Sequence, residues 1–229
     1  MAGSTAPMNR FYAIIAIAAA VGIGALLYLM NRSSSPTVPT QVTVTAADTA
    51  GFQGYVLGSD SAAVEIIEYA DFQCPACQAF EMVEFPYVKE RLIQTGRVRW
   101  IYRDFPLDEP HRWTRLAAHS AACANDQRKY WEQHEALYRT QADWSASSNA
   151  GSMFRSMAEQ NGLDMSAYDA CMKSLKFAGR IQASLESGVR MGVNSTPTVI
   201  VNGRMYPGVQ PYDKLKALVD SLSAAAPTP

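Results

Sequence analysis

The sequence predicts an α/β domain with a long helical insertion, preceded by an N-terminal transmembrane helix. Three observations carry that expectation. Residues 11–30 form an uncharged, predominantly apolar run. Residues 64–102 alternate strand, helix and strand patterns around Cys74-Pro75-Ala76-Cys77. A second strand pattern, centred on Asn202-Gly203, returns only after a helical stretch at residues 109–191.

The N-terminal tail, residues 1–10, leads into the apolar run, with Arg10 before it and Asn31-Arg32 after it. Twenty helical residues span ~30 Å, the thickness of a bilayer's hydrocarbon core. A cleaved signal peptide is the alternative, but its apolar region is usually about 7–15 residues long. Small-residue triplets such as Ala16-Ile17-Ala18 also lie inside the run rather than after it. An uncleaved anchor to the bilayer is therefore favoured. Basic residues flank both ends, so charge does not orient it. Residues 31–50, beginning Ser33-Ser34-Ser35-Pro36, show no sustained period and are expected as a flexible linker.

The folded domain is expected over residues 51–224, with a frayed tail at 225–229. A chain of 229 residues with 48% hydrophobic content can bury one good core. Residues 55–57 read as a short edge strand and 64–69 as a buried strand. The helix after Cys74 is expected to carry Phe80, Val83 and Tyr87 on one face and to run to about Gln94, kinked at Pro86 and stopped by Gly96. Residues 98–102 make the next strand; so short a crossover demands parallel pairing and a right-handed connection. The insertion, about 108–191, contains five helical candidates at 111–125, 129–140, 151–161, 165–175 and 177–191. Asn202-Gly203 between residues 198–201 and 204–206 is the strongest short hairpin signal. A helix at 212–222 closes the domain.

The chemistry resides in the cysteine pair. Cys74 falls where a strand hands over to a helix, and Pro75 takes the first helical position, where its missing N–H costs nothing. The orphan N–H groups and the positive helix end favour a thiolate, so Cys74 should be acidic and nucleophilic. Cys77, one turn further in, should be more buried and act as the resolving thiol. A zinc half-site or an inert disulfide are the alternatives; no second C-x-x-C or paired histidines supply further zinc ligands. His111, His119 and His134 read as core or helix-face residues. A net charge of −1 gives no electrostatic reason for a nucleic-acid partner.

Asp71-Phe72-Gln73-Cys74-Pro75-Ala76-Cys77, then a helical block, then Gly192-Val193-Asn194-Ser195-Thr196-Pro197-Thr198, resembles the DsbA-like thiol–disulfide oxidoreductases of the thioredoxin superfamily, membrane-anchored in type. The similarity covers about residues 55–222 and implies a thioredoxin fold with an inserted helical domain. It implies a cis bond before Pro197, with the Thr196 backbone exposed to pair with an extended peptide beside the Cys74 sulfur; a trans proline opening a strand is the base-rate alternative. It implies that Glu68 is a buried acid under the disulfide, moving a proton to or from Cys77; an exposed edge glutamate is the alternative, as Glu65 exemplifies. Four cysteines allow three connectivities. Some relatives carry a second disulfide in the helical domain, which implies Cys123–Cys171; two free thiols and a second redox relay stay open.

The implied activity is disulfide donation to unfolded or reduced exported proteins, with the catalytic domain on the extracytoplasmic side of a bacterial membrane. Reoxidation is expected from a quinone-linked membrane protein, DsbB-like or vitamin K epoxide reductase-like. No organic cofactor or metal is required. A tethered reductase or isomerase on the same fold remains open, as does a metallochaperone or non-catalytic binding module.

Overall fold

The computed structural model describes residues 6–30 and 37–225, and side chains of the first helix over 11–26. The expected residues 1–5 of the N-terminal tail, the Ser33-Ser34-Ser35-Pro36 start of the linker and residues 226–229 lie outside this range. The chain divides into two units, Met1–Ser35 and Pro36–Pro229. In the first, α1 (Ala6–Met30) carries the apolar run, and every described side chain on it is exposed. Among the described residues, no helix is long and apolar enough to cross a membrane.

The second unit is built on a five-stranded sheet in the order β1-β3-β2-β4-β5: β1 (Tyr55–Leu57), β2 (Val64–Ala70), β3 (Val98–Asp104), β4 (Thr198–Val201) and β5 (Arg204–Pro207). β2 and β3 pair in parallel, as their helical crossover requires; all other neighbours are antiparallel. In the hairpin between β4 and β5, Asn202 and Gly203 both take positive φ, 45° and 79°, the signature of a two-residue primed turn.

Side chains alternate faces along a strand, so Val64, Ile66 and Glu68 project from the same side of β2. That side, with Trp100 and Val199, is covered by Phe80, Val88 and Leu92 of the redox helix and by Leu215 of α11 (Tyr212–Ala225). Tyr69, Ile200 and Phe105 form a smaller cluster on the other side. Alternation thus carries the carboxyl of Glu68 beneath the redox helix.

The redox helix departs from its expected face. It runs from α3 (Pro75–Ala79) through a π turn (Phe80–Glu84) into α4 (Phe85–Val88) and a second π turn (Lys89–Ile93). Phe80 is buried, but Val83 and Tyr87 are exposed, and Phe85, Val88, Leu92 and Ile93 take the inward positions. A π turn holds an extra residue, which rotates everything after it away from the 3.6-residue period. The first π turn lies just ahead of Pro86, whose ring would meet the carbonyl of Met82 in an unbroken α-helix.

The insertion is α5 (Thr114–Asn125), α6 (Tyr130–Arg139), α7 (Gln141–Ala146), α8 (Ala150–Gln160), α9 (Met165–Ser174) and α10 (Ala178–Arg190). Of these, only the six-residue α7 has no counterpart in the sequence reading; it is too short to show a period. Cys123 of α5 and Cys171 of α9 are bonded, with Cα atoms 5.8 Å apart. Closing a loop of this length stabilises the domain by roughly 4 kcal/mol in the chain-entropy picture.

The C-terminal part of the expected flexible linker is docked. Val38 is buried with the core of the insertion, and Val42 packs beside it. The short α2 (Ala46–Thr49) is capped by Thr45, whose N–H and hydroxyl donate to Asp48 at 2.8 and 2.6 Å. Two valines finding an apolar surface outweigh the chain entropy that composition alone advertises. Where α2 crosses α10, a Cβ on Gly179 would strike the Asp48 carboxylate. Gly179→Ala should therefore lift residues 45–49: hydrogen exchange there is expected to accelerate at least tenfold, with about 1 kcal/mol lost from global stability.

Candidate active site

Cys74 is the N-cap of α3, in extended conformation (φ −74°, ψ 122°), with Pro75 in the first turn. Its N–H donates to the Asp71 carbonyl at 3.0 Å, and the Cys74 carbonyl accepts from Gln78 N–H at 3.1 Å. The strand, the turn and the helix start are thereby joined around one sulfur. Cys74 is 7% exposed and Cys77 fully buried, and both are free thiols in this structure.

Their acidities are driven apart. Cys74 is brought down to about 5, first by the Cys77 thiol donating to it, then by Thr196 and the backbone N–H groups of Cys77 and Ala76, all against the cost of burial. The helix end contributes as the sequence suggested, but the neighbouring thiol contributes more. Burial pushes Cys77 well above the usual thiol range, and the charge of Cys74 adds to it. At neutral pH the reduced pair is a thiolate at Cys74 and a thiol at Cys77.

The Thr196–Pro197 bond is cis. Sγ of Cys74 lies 3.4 Å from the Thr196 carbonyl oxygen, across 122 residues of sequence, and donates to it only when protonated. The Pro197 carbonyl accepts from Gly208 N–H at 2.8 Å, and Thr198 Oγ1 donates to the Ser195 carbonyl at 2.7 Å, which fixes the loop from both sides.

Glu68 lies fully buried, neither carboxyl oxygen having a hydrogen-bond partner among the described residues. Burial raises it to about 8. Four residues after Cys77, Glu81 is also buried and is raised well above the carboxylate range by burial and by the charge of Glu68. Its Oε1 lies 3.5 Å from Nε2 of His134, an imidazole that burial depresses to about 3 and keeps neutral. A cavity of about 240 Å³ opens on this pair, lined also by Lys89 and Glu135. Two protonatable carboxyls, Glu68 and Glu81, thus lead from Cys77 toward a cavity with room for several waters.

Four residues here escaped the sequence reading. Glu81 looked like an ordinary helix former. Asp71 proves to be a buried hub, accepting from Gln73 N–H at 2.7 Å, Thr114 Oγ1 at 2.5 Å, Leu107 N–H at 2.8 Å and His111 Nδ1 at 2.8 Å. His111 therefore belongs to the loop before α5 and pairs with this hub, rather than lying on a helix face. Gln141 of α7 donates to the carbonyls of Phe72 and Cys74 at 2.7 and 3.0 Å. Only the position of Asp71, three residues before Cys74, offered any signal. His119 is buried and depressed to about 4; it touches Cys123 Sγ at 3.6 Å and Met172 Sδ at 3.3 Å. His119, Cys123 and Cys171 have ligand-like proximity, but the two sulfurs are engaged with each other.

A family model described as thioredoxin matches residues 52–221. The chain is 25% identical over 171 residues to disulfide bond formation protein D of Bacillus subtilis, covering 72% of this chain and 75% of that one. It is 33% identical over 172 residues to the Na(+)/H(+) antiporter NhaA 3 of Salinispora tropica, covering 75% of this chain. The match spans about a quarter (25%) of that antiporter's length. Among solved structures, alpha-DsbA1 of Wolbachia pipientis superposes with a TM-score of 0.67 at 24% identity, over 75% of this chain and 92% of that one.

In the reduced protein, thiolate absorbance near 240 nm should rise with a midpoint near pH 5 and show no second step below about pH 9. Because the folded Cys74 releases its proton below the ordinary thiol value of about 8.5, the stability of the reduced minus the oxidised protein should increase from pH 5 to 8.5 and be lost again on acidification. Paired denaturant titrations measure that difference.

Proposed function

This chain belongs to the thioredoxin family and is DsbA-like, and on that premise we propose that it is a thiol–disulfide oxidoreductase that introduces disulfides into exported proteins. The observation that carries the reading is the opposed acidity of the two thiols, which makes Cys74 a stable leaving thiolate and hence the disulfide a strong oxidant.

A substrate thiolate attacks Cys74 of the oxidised pair. The Cys74–Cys77 bond breaks, a mixed disulfide forms at Cys74, and the electron pair leaves on Cys77. Cys77 then takes a proton; Glu68, protonated at neutral pH and buried beneath the pair, is its donor, and Glu81 with the adjoining cavity refills Glu68. The second substrate thiolate attacks the substrate sulfur and expels Cys74 as a thiolate. The substrate has lost two electrons and two protons, and the enzyme holds Cys74 and Cys77 reduced. Thr196 and Pro197 form the docking edge, where backbone groups of an extended peptide pair beside the Cys74 sulfur. Pro75 and Ala76 place no charge between the cysteines.

Residues 11–30 hold the domain to the bilayer, on the extracytoplasmic side; their twenty uncharged residues and the oxidised Cys123–Cys171 pair support this placement. A DsbB-like or vitamin K epoxide reductase-like membrane protein returns the electrons to quinone.

Equilibration of the full-length protein with glutathione should give a potential of about −120 to −180 mV, the range of known oxidants. A value near −270 mV, like that of thioredoxin, would instead make this a tethered reductase. Glu68→Gln should leave that potential within about 15 mV but slow single-turnover oxidation of a reduced peptide roughly tenfold at pH 7.

A further inference from the structure

The insertion carries sulfur and imidazole groups that disulfide exchange at Cys74 does not use. His119 and Cys123 stand one turn apart on α5, at a spacing that places both on one helix face. Cys171 and Met172 lie in the last turn of α9, which packs against α5. Four donor atoms meet between the two helices. Nδ1 of His119 lies 3.6 Å from Cys123 Sγ and 3.3 Å from Met172 Sδ. The ligand atoms of His119, Cys123 and Cys171 all fall within 4.8 Å of one another; among the described residues, no other three of His, Cys, Asp and Glu are gathered so closely. All four side chains are buried, and Cys171 and Met172, each 7% exposed, are the two nearest the surface.

This donor set is selective. Without a carboxylate it offers nothing to magnesium or calcium, which take oxygen ligands. Zinc accepts thiolate and imidazole, but a thioether beside them is a ligand for the softer copper(I). The spacing fits as well. An ion bonded to sulfur at about 2.3 Å and to nitrogen at about 2.0 Å holds its ligand atoms roughly 3–4 Å apart, which is how Nδ1 already stands to two of the three sulfurs. Only Cys123 and Cys171 are closer, because they share a bond. Burial keeps the imidazole neutral, with a lone pair to give. When Nδ1 gives it, the ring proton sits on Nε2. The Leu175 carbonyl, an acceptor for this ring, then takes over from the Phe177 N–H that lies 3.3 Å from Nε2.

We propose that His119, Cys123, Cys171 and Met172 form a binding site for one copper(I) ion in the chain whose insertion disulfide has not yet closed. Binding moves no electrons: two S–H bonds give way to two Cu–S bonds, and two protons are released. Closure of the disulfide is the competing reaction, in which the two thiols pass two electrons and two protons to a disulfide-bearing oxidant. The same sulfurs cannot do both, so an occupied insertion must release its ion before Cys123 and Cys171 can bond. The inference goes beyond the reading of Cys74 and does not depend on it.

The test uses the full chain carrying Cys74→Ser and Cys77→Ser, so that Cys123 and Cys171 supply the only thiols. After reduction by a phosphine, without air, copper(I) is titrated against a chromophoric chelator. One ion per reduced chain is expected, and none in the same chain with its disulfide closed. Equal uptake by the closed chain would overturn the proposal. Met172→Leu and His119→Ala should each weaken binding about tenfold or more, since loss of even an outer partner of a ligand costs that much. Unchanged affinity in either variant would refute the four-donor site and leave a plain dithiol. Zinc that displaces copper(I) from the reduced chain would refute the assignment to a soft ion. Where a substitution prevents folding, X-ray absorption at the copper edge decides on the unsubstituted insertion. A shell of three sulfurs and one nitrogen supports the site, and any other shell refutes it.

Discussion

The carboxylate of Asp71 is the constraint on which the rest of the site depends. It collects four donors from two separate stretches of chain: Gln73 just beyond it, and Leu107, His111 and Thr114 from across the sheet. A buried carboxylate left without donors would be costly, so this site closes only when the end of β2, the loop after β3 and the first turn of α5 are all in place. Cys74 is attached to the same residue through the Asp71 carbonyl. The position of the reactive sulfur is thus fixed by the folding of the insertion as much as by the strand that precedes it. Gln141, reaching back from α7 to the Cys74 carbonyl, secures it from a third direction.

Burial then divides the labour between chemically identical groups. Cys74 and Cys77 are one turn apart, yet only Cys74 meets the helix-end N–H groups, Thr196 and the donated proton of its partner. Cys77 faces Glu68 and apolar surroundings and keeps its proton. The two carboxyls below it are pushed up for the same reason that Cys77 is: an apolar interior disfavours any charge. In the mechanism proposed here, one helix end therefore supplies a leaving group on its outer side and a proton store on its inner side.

What was legible in the sequence was local. The strand before Cys74, the N-cap position of Cys74, the Asn202-Gly203 turn and the order of strands and helices all follow from spacing and turn chemistry within a few residues. The Thr196-Pro197 segment was legible through resemblance, since spacing says nothing about what lies 122 residues away. Glu81, His111 and Gln141 were not legible, because their identity as site residues comes from contacts between distant elements, and each is an unremarked polar residue in its own neighbourhood. The inward face of residues 75–93 failed for a different reason: its π turns shift a period that sequence arguments take as constant. The docking of residues 37–50 is not legible because the composition of the segment is polar and contains proline, while its contact with the core is made by Val38 and Val42.

The bond between Cys123 and Cys171 makes the domain a customer of the reaction proposed for it. Each new chain carries four thiols, two for its trade and two for its own frame, and the frame closes only by giving two electrons and two protons to an oxidant, of which a disulfide already made is one. An earlier copy of the same protein is such a donor. Its accumulation in a cell that begins without it would then be self-accelerating, slow for the first copies and faster with each one that matures.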